Sequence, residues 1–227
     1  MGDEAIHHRL LNCLGWLYSE TGNLDEAIDL NRQSAEIGQR RRDPGTRPNA
    51  ELNLGEIFLA QGDLTLAHEF LDSIYRYTLD PTTSAWMKYR FSIRLYADLG
   101  TFWLRRGDLD KATAFADQSL DLATRSTARK NLVKGWRLKG EIALARRAWK
   151  EAEAWLQRAL TLAQAVGNPP QLWQTHAVLG QLHTALRQPD QAQQALQAAR
   201  DVIDHVKIRV QTPVLRTSLD RLWTTFP

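Results

Sequence analysis

The sequence is poor in most features that would announce chemistry. It has a single cysteine, Cys13, which excludes an internal disulfide and a cysteine-built zinc site and fits a reducing, cytoplasmic compartment. No apolar run has the length of a membrane span. The opening MGDEAIHHRL lacks a signal-peptide core, and Ile6 stands where myristoylation needs Ser or Thr. There is no P-loop, no Gly-x-Gly-x-x-Gly, no Gly-x-Ser-x-Gly and no His-Glu-x-x-His. Charge is nearly balanced, with 29 Lys and Arg against 26 Asp and Glu. That falls short of the basic stripe of a nucleic-acid binder.

Isolated reactive groups also lack company. His176 and His183 share a helical face but occupy places that other segments fill with Tyr96 and Trp103, so core packing is preferred to metal ligation. His7 and His8 are adjacent, point different ways, and are expected in solvent. Cys13 has no base to activate it and reads as a half-buried thiol. Acidic pairs such as Asp25–Glu26 suit the first turn of a helix. The sequence is read as that of a non-enzyme with no cofactor and no metal.

What is present is repetition. LGWLYSETGNLDEA begins at Leu14, LGEIFLAQGDLTLA at Leu54 and LGTFWLRRGDLDKA at Leu99, with weaker copies from Lys139 and Leu179. Their second residues are Gly15, Gly55, Gly100, Gly140 and Gly180, spaced by 40, 45, 40 and 40, the mark of a repeat architecture. Each unit reads helix, turn, helix. Leu10, Leu11, Leu14, Leu17 and Tyr18 form one apolar helical face, Gly22 ends that helix, and Asn23 is placed to cap the next. That second helix is expected to bury Ala27, Ile28, Ala35 and Ile37. A helix-interior glycine costs about 1 kcal/mol relative to Ala. The recurrent glycines therefore imply close helix approach, against Ala27, Ala67, Ala112, Ala152 and Ala192. Arg147 and Gln188–Pro189 replace the turn glycine in the last two units, where looser turns are expected.

These residues resemble the tetratricopeptide repeat family. The family pattern of Leu-Gly, aromatic, turn Gly and small residue appears as Leu14-Gly15, Tyr18, Gly22 and Ala27. It recurs as Leu54-Gly55, Phe58, Gly62 and Ala67, then as Leu99-Gly100, Trp103, Gly107 and Ala112. The fourth unit departs with Lys139 and Ala143, and the fifth has His183 at the aromatic place. The period of 40 exceeds the family's usual 34. Long units are similar to those of signalling ATPases and transcription activators, kinesin light chains and peptide-sensing regulators. The resemblance implies an all-α, right-handed α-solenoid of five helix pairs at roughly 5–42, 46–80, 84–125, 127–167 and 170–208. A capping helix at 211–225, with Val214, Leu215, Leu219, Leu222 and Trp223 apolar, completes a single domain spanning 1–227. No equivalent cap precedes the first unit, so further chain N-terminal to Met1 is expected.

The resemblance also implies a protein- or peptide-binding scaffold, read as the sensor or assembly region of a larger bacterial signalling protein. A stand-alone peptide receptor and a nucleic-acid-binding solenoid are the alternatives. The basic-aromatic stretch Ala85–Tyr96 and the arginines Arg40, Arg41, Arg42 and Arg47 are the only features favouring the latter. A partner would meet the polar side of each first helix. Its candidates are Arg9, Asn12, Trp16 and Glu20, then Asn49, Asn53 and Glu56, then Arg94, Asp98, Thr101 and Arg105. Lys134, Arg137 and Glu141 follow, with Gln174 and Gln181 last. Trp16 is either a binding hot spot or a plug between repeats. Glu56 is expected to be available to a partner, and Arg94, Arg105, Lys134 and Arg137 to form a positive patch. Family members that clamp a C-terminal carboxylate share Asn53 and Arg94, but Asn12, Trp16 and acidic Asp98 depart from that set and argue against the role.

Overall fold

In the computed structural model, residues 2–224 are described, with side chains from Ile6 to Leu222. Among the described residues the chain is all-α. Its helices are α1 (Gly2–Glu20), α2 (Leu24–Arg41), α3 (Thr46–Gln61), α4 (Leu64–Leu79), α5 (Ala85–Arg105), α6 (Leu109–Arg125), α7 (Arg129–Ala145), α8 (Trp149–Val166), α9 (Pro169–Ala185), α10 (Pro189–Arg209) and α11 (Pro213–Thr224). The odd-numbered helices to α9 carry the recurrent glycines and the even-numbered ones follow them after short turns. This is the repeat solenoid expected from the sequence. The chain divides into two compact units, Met1–Phe102 and Trp103–Pro227, and each is described by itself.

In the first unit, α1 packs on α2, α2 on α3 and α3 on α4. Its core includes Leu52, Leu54, Ile57, Leu71, Ile74, Phe91 and Leu95. In the second unit, α7 through α10 pack in chain order. There Ala152, Leu156, Val178, Leu179 and Leu182 form one cluster. Trp173, Ala199 and Ile203 meet Leu219 of α11 in another, with Leu222 packed against it. The last helix thus covers the end of its unit, although Val214 is exposed and Trp223 lies outside the described side chains.

The glycines act by close approach. A Cβ on Gly55 would lie 2.8 Å from a methyl of Leu71, and one on Gly140 would lie 2.6 Å from Leu156. Gly180 meets Leu196 at 2.9 Å. The partner always stands sixteen residues on. Ala27, Ala67, Ala112 and Ala152 are fully buried. Lys139, which breaks the Leu-Gly pattern, stays in register because its ammonium reaches Asp117 at 2.8 Å and lies over the Trp155 ring.

Several expectations fail for identifiable reasons. The α2 stripe that is buried is Ala27, Leu30, Asn31, Ser34 and Gly38, while Ile28, Ala35 and Ile37 sit at its margins. Asn23 precedes α2 without a capping side-chain bond. His8 is buried, with Nε2 3.3 Å from the Asp43 carboxylate, whereas His7 is exposed. Asp43 also accepts from the Gly45 and Thr46 amides at 2.9 and 3.1 Å. Burial pushes its pKa up, but these bonds and His8 outweigh that and hold it below the ordinary value. Cys13 is exposed rather than half-buried.

The turns of the last two units are not looser. Arg147 and Arg187 both take φ of +59°, in the left-handed region used by Gly22, Gly62 and Gly107. Each lies seven residues after its helix glycine, so Arg187, not Gln188–Pro189, is the turn residue. The closing bonds, Ala148 N–H to Ala143 C=O and Gln188 N–H to His183 C=O, are both 2.9 Å, as is Asn23 N–H to Tyr18 C=O. A side chain in this region is strained by about 1–2 kcal/mol, part of which glycine's lost freedom offsets. Arg147→Gly and Arg187→Gly should each stabilise the chain by about 0.5–1 kcal/mol, read as a rise of roughly 2 °C in the midpoint of thermal unfolding.

Candidate functional site

The first unit gathers polar side chains from four helices. Asn12 comes from α1, Asn31 from α2, Asn49, Asn53 and Glu56 from α3, and Arg94 from α5. Asn31 and Asn53 are buried, and so is Asn12. Asn53 Nδ2 donates to Asn31 Oδ1 at 2.9 Å and to Asn12 Oδ1 at 3.3 Å. Asn12 Nδ2 donates to Asn31 Oδ1 at 3.4 Å, and Asn49 Nδ2 donates to Asn12 Oδ1. Asn31 anchors the set by donating to the Ala27 carbonyl at 2.7 Å. At the other end, Arg94 Nη2 donates to Asn53 Oδ1 at 2.7 Å and to Glu56 Oε2 at 2.8 Å. These amides satisfy one another where an isolated one would be costly.

Arg94 therefore stands among carboxylates. Burial pushes its pKa down, yet Glu56, Asp98 and Glu20 more than compensate and hold it above the ordinary value. Glu56 is paired, not available, and Arg94 does not join a positive patch. Asp98 is buried, and Thr101 turns its hydroxyl onto the Ala97 carbonyl at 3.1 Å. Trp16 and Glu20 are half-buried, and Arg9 is exposed, 4.0 Å from Asp43. A cavity of about 270 Å³ opens beside Asn12 and Asn49, with Arg9, Arg90, Cys13 and Met87 among its walls.

Asn31 is not among the sequence candidates because it lies on a second helix, whereas a partner is expected on the polar side of each first helix. The register itself carried the signal. Sixteen residues after Gly55, Gly140 and Gly180 stands a leucine, and after Gly15 stands Asn31. A Cβ on Gly15 would lie 2.3 Å from Asn31 Nδ2.

The second unit brings together Arg105, Lys134, Arg137 and Glu141. Arg137 is buried and donates to Gln171 Oε1 at 2.8 Å. Burial raises the pKa of half-buried Glu141, against the pull of Arg137, Arg105 and Lys134. Three cations thus surround one carboxylate. Gln174 is half-buried and Gln181 exposed. Of the two histidines, His176 has its pKa lowered by burial, and His183 Nδ1 lies 2.9 Å from Gln188 Oε1. Among the described residues, no group of three or more His, Cys, Asp and Glu could hold a metal, and no helix is long and apolar enough to cross a membrane.

Residues 9–41 match the tetratricopeptide repeat family model. No curated protein matches the sequence. Among solved structures, the fold is similar to a thermophilic tetratricopeptide repeat protein of Thermus thermophilus, with TM-score 0.58 and 17% identity over 94% of this chain and 97% of that one. RapI in its apo form gives TM-score 0.59 at 11% identity, covering 88% and 71%. A signal-transduction ATPase with numerous domains and a tetratricopeptide repeat sensor, from Pyrococcus horikoshii, gives 0.58 at 15% identity, covering 88% of this chain and 31% of that one. At these identities the likeness is one of fold. The chain has the fold of tetratricopeptide-type repeat proteins, and its first helix pair carries that family's sequence signature.

Proposed function

We propose that the chain is a non-catalytic scaffold that binds a protein or peptide segment on the polar faces of its odd-numbered helices. The observation that carries this reading is the asparagine array of the first unit, which leads from buried Asn12 out to half-buried Asn49 beside a cavity. An asparagine amide offers a donor and an acceptor together, the pair an extended peptide backbone needs. Arg9 and Arg90 at the rim add charge recognition. The cation-rich group around Glu141 gives the second unit a face of different electrostatic character. The likeness to the sensor-bearing ATPase supports reading the chain as the sensor or assembly region of a larger signalling protein, which we take to be bacterial, and the exposed Cys13 suits the cytoplasm.

Peptides selected from a displayed random library against the intact chain test the reading. Their affinity, measured by fluorescence anisotropy, should fall about 10-fold or more in Trp16→Ala and Asn49→Ala, as for residues central to an interface. Selected peptides that bind both variants normally would place the site elsewhere. A library that yields no binder would remove the scaffold reading.

A further inference from the structure

The second unit concentrates positive charge around a single carboxylate. Glu141 of α7 is half-buried, and the charges acting on it are Arg137 and Lys134 of the same helix and Arg105 at the end of α5. The cations outnumber the carboxylate three to one. Arg137 is buried and Lys134 half-buried, so solvent screens their mutual repulsion poorly. An anion supplied from outside would relieve it.

The first unit is arranged the other way. There a single guanidinium, that of Arg94, is acted on by three carboxylates, those of Glu56, Asp98 and Glu20. Glu56 and Glu141 occupy the same register, each directly after a helix glycine. Arg94, which holds Glu56 at 2.8 Å, stands six residues before Gly100. Six before Gly180 stands Gln174, which is neutral and half-buried. Unlike the apolar side of α1, where Leu10, Leu14 and Leu17 are exposed, this face is not a stacking surface left open. The apolar sides of α7 and α9 are buried at Val133, Leu138, Ile142, Trp173 and Leu182.

We propose that this face binds an acidic peptide segment of a partner protein, whose Asp or Glu carboxylates are received by Arg105 and Lys134, with Glu141 as a built-in competitor. The proposal rests on the scaffold reading above and names the chemistry of its partner at the second unit. The site itself indicates that chemistry, because it already accommodates one carboxylate among guanidinium and ammonium donors. Gln174 and exposed Gln181 can serve the peptide backbone, since an amide both donates and accepts. Burial disfavours the charge of Glu141 despite the cations, which makes it a replaceable occupant. Nucleic acid fits less well, because a strand needs cations along its length and these gather around one point.

The probe is a fluorescein-labelled hexaglutamate peptide, amidated at its C-terminus, titrated with the intact chain at low salt and read by anisotropy. It should bind saturably, and hexaglutamine about 10-fold more weakly. Lys134→Gln and Arg105→Gln should each weaken hexaglutamate about 5-fold, and Glu141→Gln should strengthen it by a similar factor. Arg32→Gln, at an exposed site of the first unit, should bind as wild type, and far-UV circular dichroism should be the same for all these variants. Absence of hexaglutamate binding overturns the proposal. So does a loss in Arg32→Gln equal to that in Lys134→Gln, which would make the attraction one of net charge. A Glu141→Gln chain that binds no more tightly removes the competitor. Oligothymidylate that binds more tightly than hexaglutamate, and is weakened by the same variants, would assign the face to nucleic acid. Library peptides that bind through Asn49 while hexaglutamate does not would leave the scaffold reading standing and remove this one alone.

Discussion

Arg94→Met should lower the stability of the chain by about 3 kcal/mol, measured by urea denaturation followed by far-UV circular dichroism. Methionine keeps much of the aliphatic stem and removes the guanidinium. Glu56 and Asn53 then lose a donor at 2.8 and 2.7 Å, and the surrounding Glu20 and Asp98 lose their neutralising charge. The side chains of Arg94 and Glu56 are only 26% and 27% exposed, so water restores little of what is lost. Most of the penalty comes from the carboxylate left behind, not from the strength of the pair itself. Arg94→Met combined with Glu56→Gln should therefore be more stable than Arg94→Met alone, by about 1 kcal/mol. Equal stability of the single and double variants would show that Glu56 carries none of the penalty.

The second large effect is expected at Asn31. Asn31→Ala should cost about 3 kcal/mol in the same measurement. It opens space beside Gly15 and removes the acceptor shared by Asn12 and Asn53, both buried. Asn31→Leu should cost less, about 1–2 kcal/mol, because Leu71 against Gly55 shows that a leucine fits this joint. What leucine cannot do is accept from the two amides. If Asn31→Leu proves as costly as Asn31→Ala, filling the space recovers nothing and the cavity part of the account fails; if Asn31→Leu costs nothing, the hydrogen-bond part fails.

The helices, their pairing and the glycine joints were legible in the sequence because each is a local or periodic property. Gly55 and Gly140 announced close approach, and the leucines they meet follow at a fixed step. Features set by a neighbour were not legible. Leu10, Leu14 and Leu17 read as core because their spacing is that of a packed face, but burial needs a second surface that periodicity cannot supply. His8 read as solvated because it lies near the start of the chain, yet the turn between α2 and α3 brings Asp43 onto it. The candidate side chains do lie on the odd-numbered helices. Their meaning shifted because hydrogen bonds cross between helices: Glu56 is engaged by Arg94, and Asn12 and Asn53 are joined through Asn31. Arg187 was missed as a turn residue because a long charged side chain hides a backbone requirement that Gly22 and Gly62 make plain.

The asparagine at the first joint also makes the order of the helices matter. Joints in which a glycine meets a leucine are near copies, and a helix bearing one could seat against another's partner with little penalty. The joint of α1 and α2 is keyed. Should α1 meet α4 during folding, Asn12 would face Leu71 and its amide would be shut in without an acceptor, at a cost of about 1–3 kcal/mol. Should α2 take the place of α4 against Gly55, Asn31 would suffer the same in the apolar surroundings that Leu71 occupies. A chain built from interchangeable parts thus carries one part that fits a single place. Duplication or exchange of whole helix pairs is correspondingly easier among the leucine-backed joints than across this one.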